Sequence, residues 1–242
     1  MRIGFLVFPR LTQLDLTGPF EVLARLPGAV PRLVWKTTEP VAADTGLMLV
    51  PHESFAGCAQ LDMLVVPGGP GTGDAAEDPE VVDFVRRQAA AARYVTSVCT
   101  GALILGAAGA LKGRRATTHW AAHHWLARLG AAPVKARVVR DGNLFTGGGV
   151  TAGIDFALTI AAEIAGPEVA QAIQLQIEYA PDPPFAAGSP DTAPAPVLEA
   201  ARVRGAAMRA QREAMVERIA ARLQDEQAGI GPEIRGAGRT AP

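Results

Sequence analysis

The chain has 242 residues, 49% of them hydrophobic, with 19% charged and a formal net charge of −1. That length supports one sizeable domain or two small ones with a substantial core, and the balanced charge implies no basic face for nucleic acid. Two cysteines, Cys58 and Cys99, suit neither a disulfide framework nor a cysteine-based zinc site, and their free use points to a reducing, cytoplasmic setting.

The apolar run over residues 2–8 reads as a strand. It meets Pro9 and Arg10 at once and lacks a small-residue cleavage site, so it does not read as a signal peptide. Pro19 is expected to open a helix reaching residue 26, because proline is favoured at the first helical position. A second strand is expected over 32–38, and 41–55 reads as a hairpin or edge excursion with Gly46 near its turn. LDMLVVP, residues 61–67, is a continuous apolar run, the pattern of a strand buried on both faces. After a glycine turn, Asp78 is expected to cap a helix that begins with Pro79. RYVTSV then reads as the central strand, followed by strand-like runs in RRATTH and VKARVVRDGNLFT and a helix over 151–165.

Strands alternating with helices predict an α/β fold, a mostly parallel sheet with helices on both faces. The expected organisation is an α/β domain over 1–180, a Pro-rich arm over 181–196, and an amphipathic helix over 197–227. In that helix Leu198, Ala201, Met208, Met215, Ile219 and Leu223 recur at helical spacing, so it is expected to pack on the domain or on a partner subunit. A disordered tail is expected over 228–242. The least polar stretch, 98–111, is too short and too Gly-rich to span a bilayer, so no membrane association is expected.

Cys99 stands where a β-branched run meets an Ala/Leu/Gly run, in TSVCTGALILG. A nucleophile on a sharp strand-to-helix turn needs small neighbours, and Gly101 supplies them. A helix N-terminus aimed at the sulfur is expected to lower the thiol pKa. Cys58 lacks such a setting and reads as structural. Asp15, between two leucines in TQLDLTG, is expected to be partly buried, which raises a carboxyl pKa and makes it a candidate acid/base. Two glycine turns, PGGPGTGD and FTGGGVTAG, are expected at the same sheet edge. Their backbone N–H groups, at Gly68, Gly69, Gly148 and Val150, are candidates to face a reacting centre. PGGPGTGD lacks the G-x-G-x-x-G spacing of a dinucleotide-binding turn and the G-K-[ST] ending of a P-loop. His119, His123 and His124 include an i, i+4 pair, but no Glu follows the first His and no third ligand is evident, so no metal site is expected. His119 is expected to end a strand and border the pocket.

These residues resemble the ThiJ/PfpI superfamily and, within it, the isonitrile-hydratase branch. TQLDLTGPFEV, LVVPGGPG, TSVCTGALILGAAGALKGRRATTHW, VVRDGNLFTGGGVTAGIDFAL and IQLQIEYAPDPPFAAGSP carry the resemblance across most of residues 1–192. The resemblance implies a flavodoxin-like three-layer sandwich of the class I glutamine amidotransferase-like type, acting as a homodimer. It implies Cys99 as nucleophile, Asp15 as its carboxylate partner and Thr100 beside them. The implied substrate is a small-molecule isonitrile, hydrated to an N-substituted formamide without metal or organic cofactor. Superfamily peptidases carry His after the cysteine where this chain has Thr100, and the glyoxalase branch carries Glu where Asp15 stands. Amidotransferases need a late His-x-Glu pair, and no His follows Gly147. Stretches such as SVCTGA, ATTHW and AGID also occur in sensor domains of AraC-type regulators. A free-standing ligand sensor, or another cysteine-dependent hydrolase, is therefore the alternative reading. DNA binding would require two helix-turn-helix units after this region, where only the Pro-rich arm and one helix without a basic recognition face are expected.

Overall fold

The buried apolar runs build a seven-stranded sheet in a computed structural model of the protein, which describes residues 1–229. In chain order come β1 (Arg2–Leu6), α1 (Gln13–Leu23), β2 (Val30–Trp35), and a short antiparallel pair, β3 (Val41–Ala42) and β4 (Met48–Leu49). Next are β5 (Glu53–Ser54), β6 (Met63–Val66), α2 (Thr72–Glu77), α3 (Pro79–Ala91), β7 (Tyr94–Val98) and α4 (Gly101–Ala107). After β8 (Arg115–Ala116), a 3-10 segment (Trp120–Leu129) and β9 (Ala132–Pro133) lie β10 (Val138–Asp141) and β11 (Leu144–Gly147). The helices α5 (Ala152–Ala165), α6 (Pro167–Gln176), α7 (Ala195–Arg204) and α8 (Ala206–Gln227) follow.

The sheet order is β10-β11-β7-β6-β1-β2-β5, parallel throughout except for the antiparallel β10. β6 and β7 are buried along their whole length, as central strands covered on both faces must be. On one face α1 packs against α5 and α5 against α6; on the other lie α2, α3, α4, the 3-10 segment and α8. From β1 the chain runs outward to β2 and β5, then returns to β6 on the other side. The order therefore switches between β1 and β6, and ligands of open α/β sheets bind outside the carboxyl ends of strands at such a point.

Several local expectations match. Asp78 caps α3, its carboxylate accepting from the N–H groups of Glu80 at 3.0 Å and Val81 at 3.4 Å. Gly46 turns between β3 and β4 with φ +89°. Two expectations are corrected. The first helix begins at Gln13, not at Pro19, which lies inside it. α1 buries Asp15, Leu16, Gly18, Pro19, Val22 and Leu23 between sheet and α5, so its first turns carry no amphipathic stripe to read. Proline in that interior deprives the Asp15 carbonyl of its helical partner. The single amphipathic helix expected over 197–227 is two, α7 and α8, joined at Gly205. α7 has no buried residue, whereas α8 buries Met215, Val216 and Ile219 on the domain. The tail expected over 228–242 lies almost wholly outside the described residues. No helix among them is long and apolar enough to cross a membrane.

Candidate active site

Asp15, Gly68 and Cys99 follow β1, β6 and β7, three neighbouring parallel strands, and so converge at one sheet edge. Cys99 has φ 54°, a conformation L-residues rarely adopt, which marks a strained strand-to-helix elbow. Its backbone is held from three sides. The N–H donates to the Gly148 carbonyl at 2.8 Å and the Gly147 carbonyl at 3.2 Å, and the carbonyl accepts from the Thr118 hydroxyl at 2.6 Å. Gly101 is required behind it, because a Cβ there would stand 2.1 Å from the Val66 carbonyl oxygen. Strain at Cys99 persists because the surrounding turns over-determine it.

Asp15 is fully buried in the first turn of α1. Its Oδ2 accepts the Gly68 N–H at 2.9 Å, and Oδ1 is buried without a hydrogen-bond partner. The Cys99 thiol is the side chain coupled to this carboxyl. Burial pushes Asp15 up from 3.8 to about 7, with the charge of Asp44 adding to it; the Gly68 N–H and the thiol oppose. Burial also pushes the Cys99 thiol up, the negative charge of Asp15 adding, while the Thr100 N–H pulls it down. The lowered thiol expected from a helix N-terminus is thus reversed. α4 has only seven residues, and its N-terminal field is outweighed by a dry site containing a carboxylate. Two negative charges are not sustained there, so the carboxyl and the thiol retain one proton between them near neutral pH and their titrations are linked.

The structure gives Gly68, Gly69 and Thr100 roles different from those expected. The Gly68 N–H is committed to Asp15 and the Gly69 N–H to Thr100 Oγ1 at 3.1 Å, so neither is open to a substrate. A Cβ on Gly68 would lie 2.5 Å from Thr100 N and Oγ1 and 3.0 Å from Asp15 Oδ2. Thr100, implied by the resemblance to lie beside the pair, does not turn its hydroxyl to either group. That hydroxyl instead lies 2.8 Å from Thr72 Oγ1, whose own proton goes to the Gly69 carbonyl at 2.8 Å. With that proton committed, Thr100 is the donor to Thr72. Its contribution at the sulfur is its backbone N–H.

Beside this pair lies a cleft of about 860 Å³, bordered by Thr118, His119, Gly148, Gly149 and Val150 and, across it, by the arm at Pro190. It meets the elbow through Thr118 and Gly148, which bind the Cys99 backbone. The Gly148 N–H is taken by the Arg137 carbonyl at 2.9 Å, so this glycine borders the cleft without offering a donor. His119 does border the cleft, but it precedes the 3-10 segment instead of ending a strand, because β8 stops at Ala116. Its Nδ1 accepts the Ala121 N–H at 3.3 Å, and burial pushes its pKa down, with Arg212 adding, so it is a neutral wall. Cys58 is half-buried away from these groups, its thiol donating to the Ala59 carbonyl. Among the described residues, no group of three or more His, Cys, Asp or Glu is placed to hold a metal. Sequence reading missed Thr72, Thr118 and Arg212. Arg212 reaches in from α8 to donate to the Gly69 carbonyl at 2.7 Å. Its spacing carried the signal, since it shares the helix face of Met208, Met215 and Ile219.

Comparison with known proteins agrees with this geometry. The model of the DJ-1/PfpI family matches residues 1–163. The chain belongs to the DJ-1/PfpI family. Among DJ-1/PfpI relatives, it is 60% identical over 223 residues to the isonitrile hydratase of Pseudomonas putida, covering 92% of this chain and 98% of that protein. A solved ThiJ/PfpI family protein from Pseudomonas syringae superposes with a TM-score of 0.87 at 47% identity, over 89% of this chain and 90% of that one. The HTH-type transcriptional regulator GbdR of Pseudomonas aeruginosa is 31% identical over 188 residues, 73% of this chain but 50% of the regulator.

Proposed function

We propose that this DJ-1/PfpI protein is an isonitrile hydratase, adding water to R–N≡C to give the N-substituted formamide R–NH–CHO. The carrying observation is the buried Asp15–Cys99 pair at a strained elbow whose backbone partners, Thr118 and Gly148, border a cleft, in a chain 60% identical to the P. putida hydratase.

The terminal carbon of an isonitrile carries a lone pair, so water adds slowly unless that carbon is protonated. The pair holds one proton and one nucleophile, the two things the reaction needs at one atom. The proton passes to the terminal carbon and the sulfur electron pair forms the S–C bond, giving the thioimidate R–N=CH–S–Cys99. Water, its proton taken up through Asp15, then adds to the same carbon as nitrogen is protonated. The C–S bond of the resulting R–NH–CH(OH)–S adduct breaks, its electrons return to sulfur, and the hydroxyl proton returns to the pair as formamide leaves. Raised proton affinity suits this cycle, because a carboxyl near 7 exchanges protons at neutral pH and an ordinary one does not. The substituent R occupies the cleft beside Gly148, Val150 and His119.

We also infer a cytoplasmic homodimer. Both cysteines are free, and Leu175, Phe185, Val197 and Val203 stand exposed on α6, the arm and α7. These are apolar side chains that a second copy of the chain would cover, and sedimentation at micromolar concentration tests it, a monomer overturning it. For the activity, the purified protein is incubated with cyclohexyl isocyanide and the formyl proton of the product is followed by NMR. Formamide at a rate proportional to enzyme is expected; none above the buffer blank overturns the proposal.

A further inference from the structure

The C-terminal helix reaches the reacting pair. α8 lies beyond residues 1–163, the segment matched by the family model. It is nevertheless fixed on the domain by buried Met215, Val216 and Ile219. Glu213 bonds Trp125 and Arg128, Arg218 clamps Glu77 at 2.6 and 2.8 Å, and Arg222 donates to the Ala107 carbonyl at 2.7 Å. From this platform Arg212 turns inward. Its Nη2 donates to the Gly69 carbonyl at 2.7 Å, and its Nε is buried without a partner.

We propose that Arg212 is a positioning residue for the Cys99–Asp15 pair, fixing Gly69 and holding a positive charge against the thiol. Gly69 is the hub. Its carbonyl receives Arg212 and the Thr72 hydroxyl, its N–H meets Thr100 Oγ1, and its φ of +137° is open essentially only to glycine. Removing the guanidinium leaves that carbonyl with Thr72 alone and loosens the peptide next to Gly68, which holds Asp15. The second effect is electrostatic. Arg212 and the Cys99 thiol act on each other, the cation favouring thiolate. Besides Arg212, the charged group acting on the pair is Asp44 from the β3–β4 turn, which acts on Asp15, while His119 on the cleft wall feels Arg212 itself. Glu213, next in the chain, is turned to Trp125 and Arg128. Arg212 is therefore the cation that offsets the negative charge the sulfur and carboxyl share. A half-buried guanidinium keeps its charge where an ammonium yields its own more readily, which suits it to this position.

This inference rests on Cys99 being the reacting group. It is tested by labelling with iodoacetamide at pH 8, reading the rate at Cys99 alone by peptide mass in wild type, Arg212→Met and Arg212→Lys. Loss of the cation lowers the thiolate fraction, so Cys99 is expected to label about tenfold more slowly in Arg212→Met, with Arg212→Lys recovering at least about threefold of it. Undocking of α8 would hydrate and expose the thiol and speed its labelling, so the sign separates lost charge from lost structure. An unchanged or faster rate in Arg212→Met, or an Arg212→Lys variant as slow as Arg212→Met, overturns the proposal. Labelling requires no isonitrile, so a wild type that fails to make formamide removes the hydratase reading without touching this result.

Discussion

Replacing Asp15 with Asn is expected to stabilise the fold at alkaline pH while abolishing turnover. A carboxyl whose folded pKa lies above its unfolded value binds its proton more tightly in the native state. It costs the fold nothing below the unfolded value and opposes folding increasingly as pH rises towards the folded one. For Asp15 that window runs from 3.8 to about 7. At about 1.4 kcal/mol per pH unit, the gap amounts to about 4 kcal/mol of destabilisation fully present above pH 7. Asn keeps an oxygen for the Gly68 N–H and has no charge to desolvate, so Asp15→Asn recovers up to about that amount. Urea unfolding of both proteins at pH 4.5, 6 and 8 measures it. The gain is expected to be largest at pH 8 and to shrink steadily as pH falls. A variant no more stable than wild type at pH 8, or a gain independent of pH, would refute the claim that Asp15 is held in a dry site with a raised pKa.

The same shift governs rate. Below about pH 7 the pair gains a second proton and loses the base that prepares the sulfur, so kcat/KM is expected to rise tenfold per pH unit up to about 7 and then level; a flat profile from pH 5 to 8 contradicts this. Gly68→Ala places a methyl 2.5 Å from Thr100 N and displaces Asp15 Oδ2. About 10²-fold loss of kcat is expected, as for misplacement of a catalytic group by about 1 Å, and steady-state kinetics on the folded variant checks it. Ile219→Ala empties a buried site on α8, and a loss of about 2–4 kcal/mol in urea unfolding is expected. A loss under 0.5 kcal/mol would mean that α8 is not part of the cooperative unit.

The parallel sheet was legible because its central strands are written as short runs, the apolar MLVV and the β-branched and small YVTSV, bounded by turn residues. Cys99 was legible for a related reason: the change from β-branched to small residues marks the elbow that φ 54° then displays. Asp15 was legible as a carboxylate between leucines, but the start of its helix was not. Pro19 looks like an opening residue, and only packing between sheet and α5 holds the helix together from Gln13. The glycine turns were found in the right place but given the wrong partners. Which side chain takes a backbone N–H depends on long-range closure, such as residue 15 meeting residue 68, and local pattern does not encode that. The effect on the thiol was misjudged because a sequence reveals an adjacent helix but not the degree of burial that outweighs it. Arg212 was hidden among the arginines of α8, and what separates it from Arg209 or Arg218 is the face it shares with Met215 and Ile219.

The central claim is that Cys99 forms the bond to the isonitrile carbon. Formamide production from a ¹³C-labelled isocyanide by Cys99→Ala and by wild type, compared at pH 8 by NMR, tests it most directly. A fall in kcat of at least about 10³-fold is predicted, in line with loss of a nucleophile. Turnover by Cys99→Ala within tenfold of wild type would contradict the account.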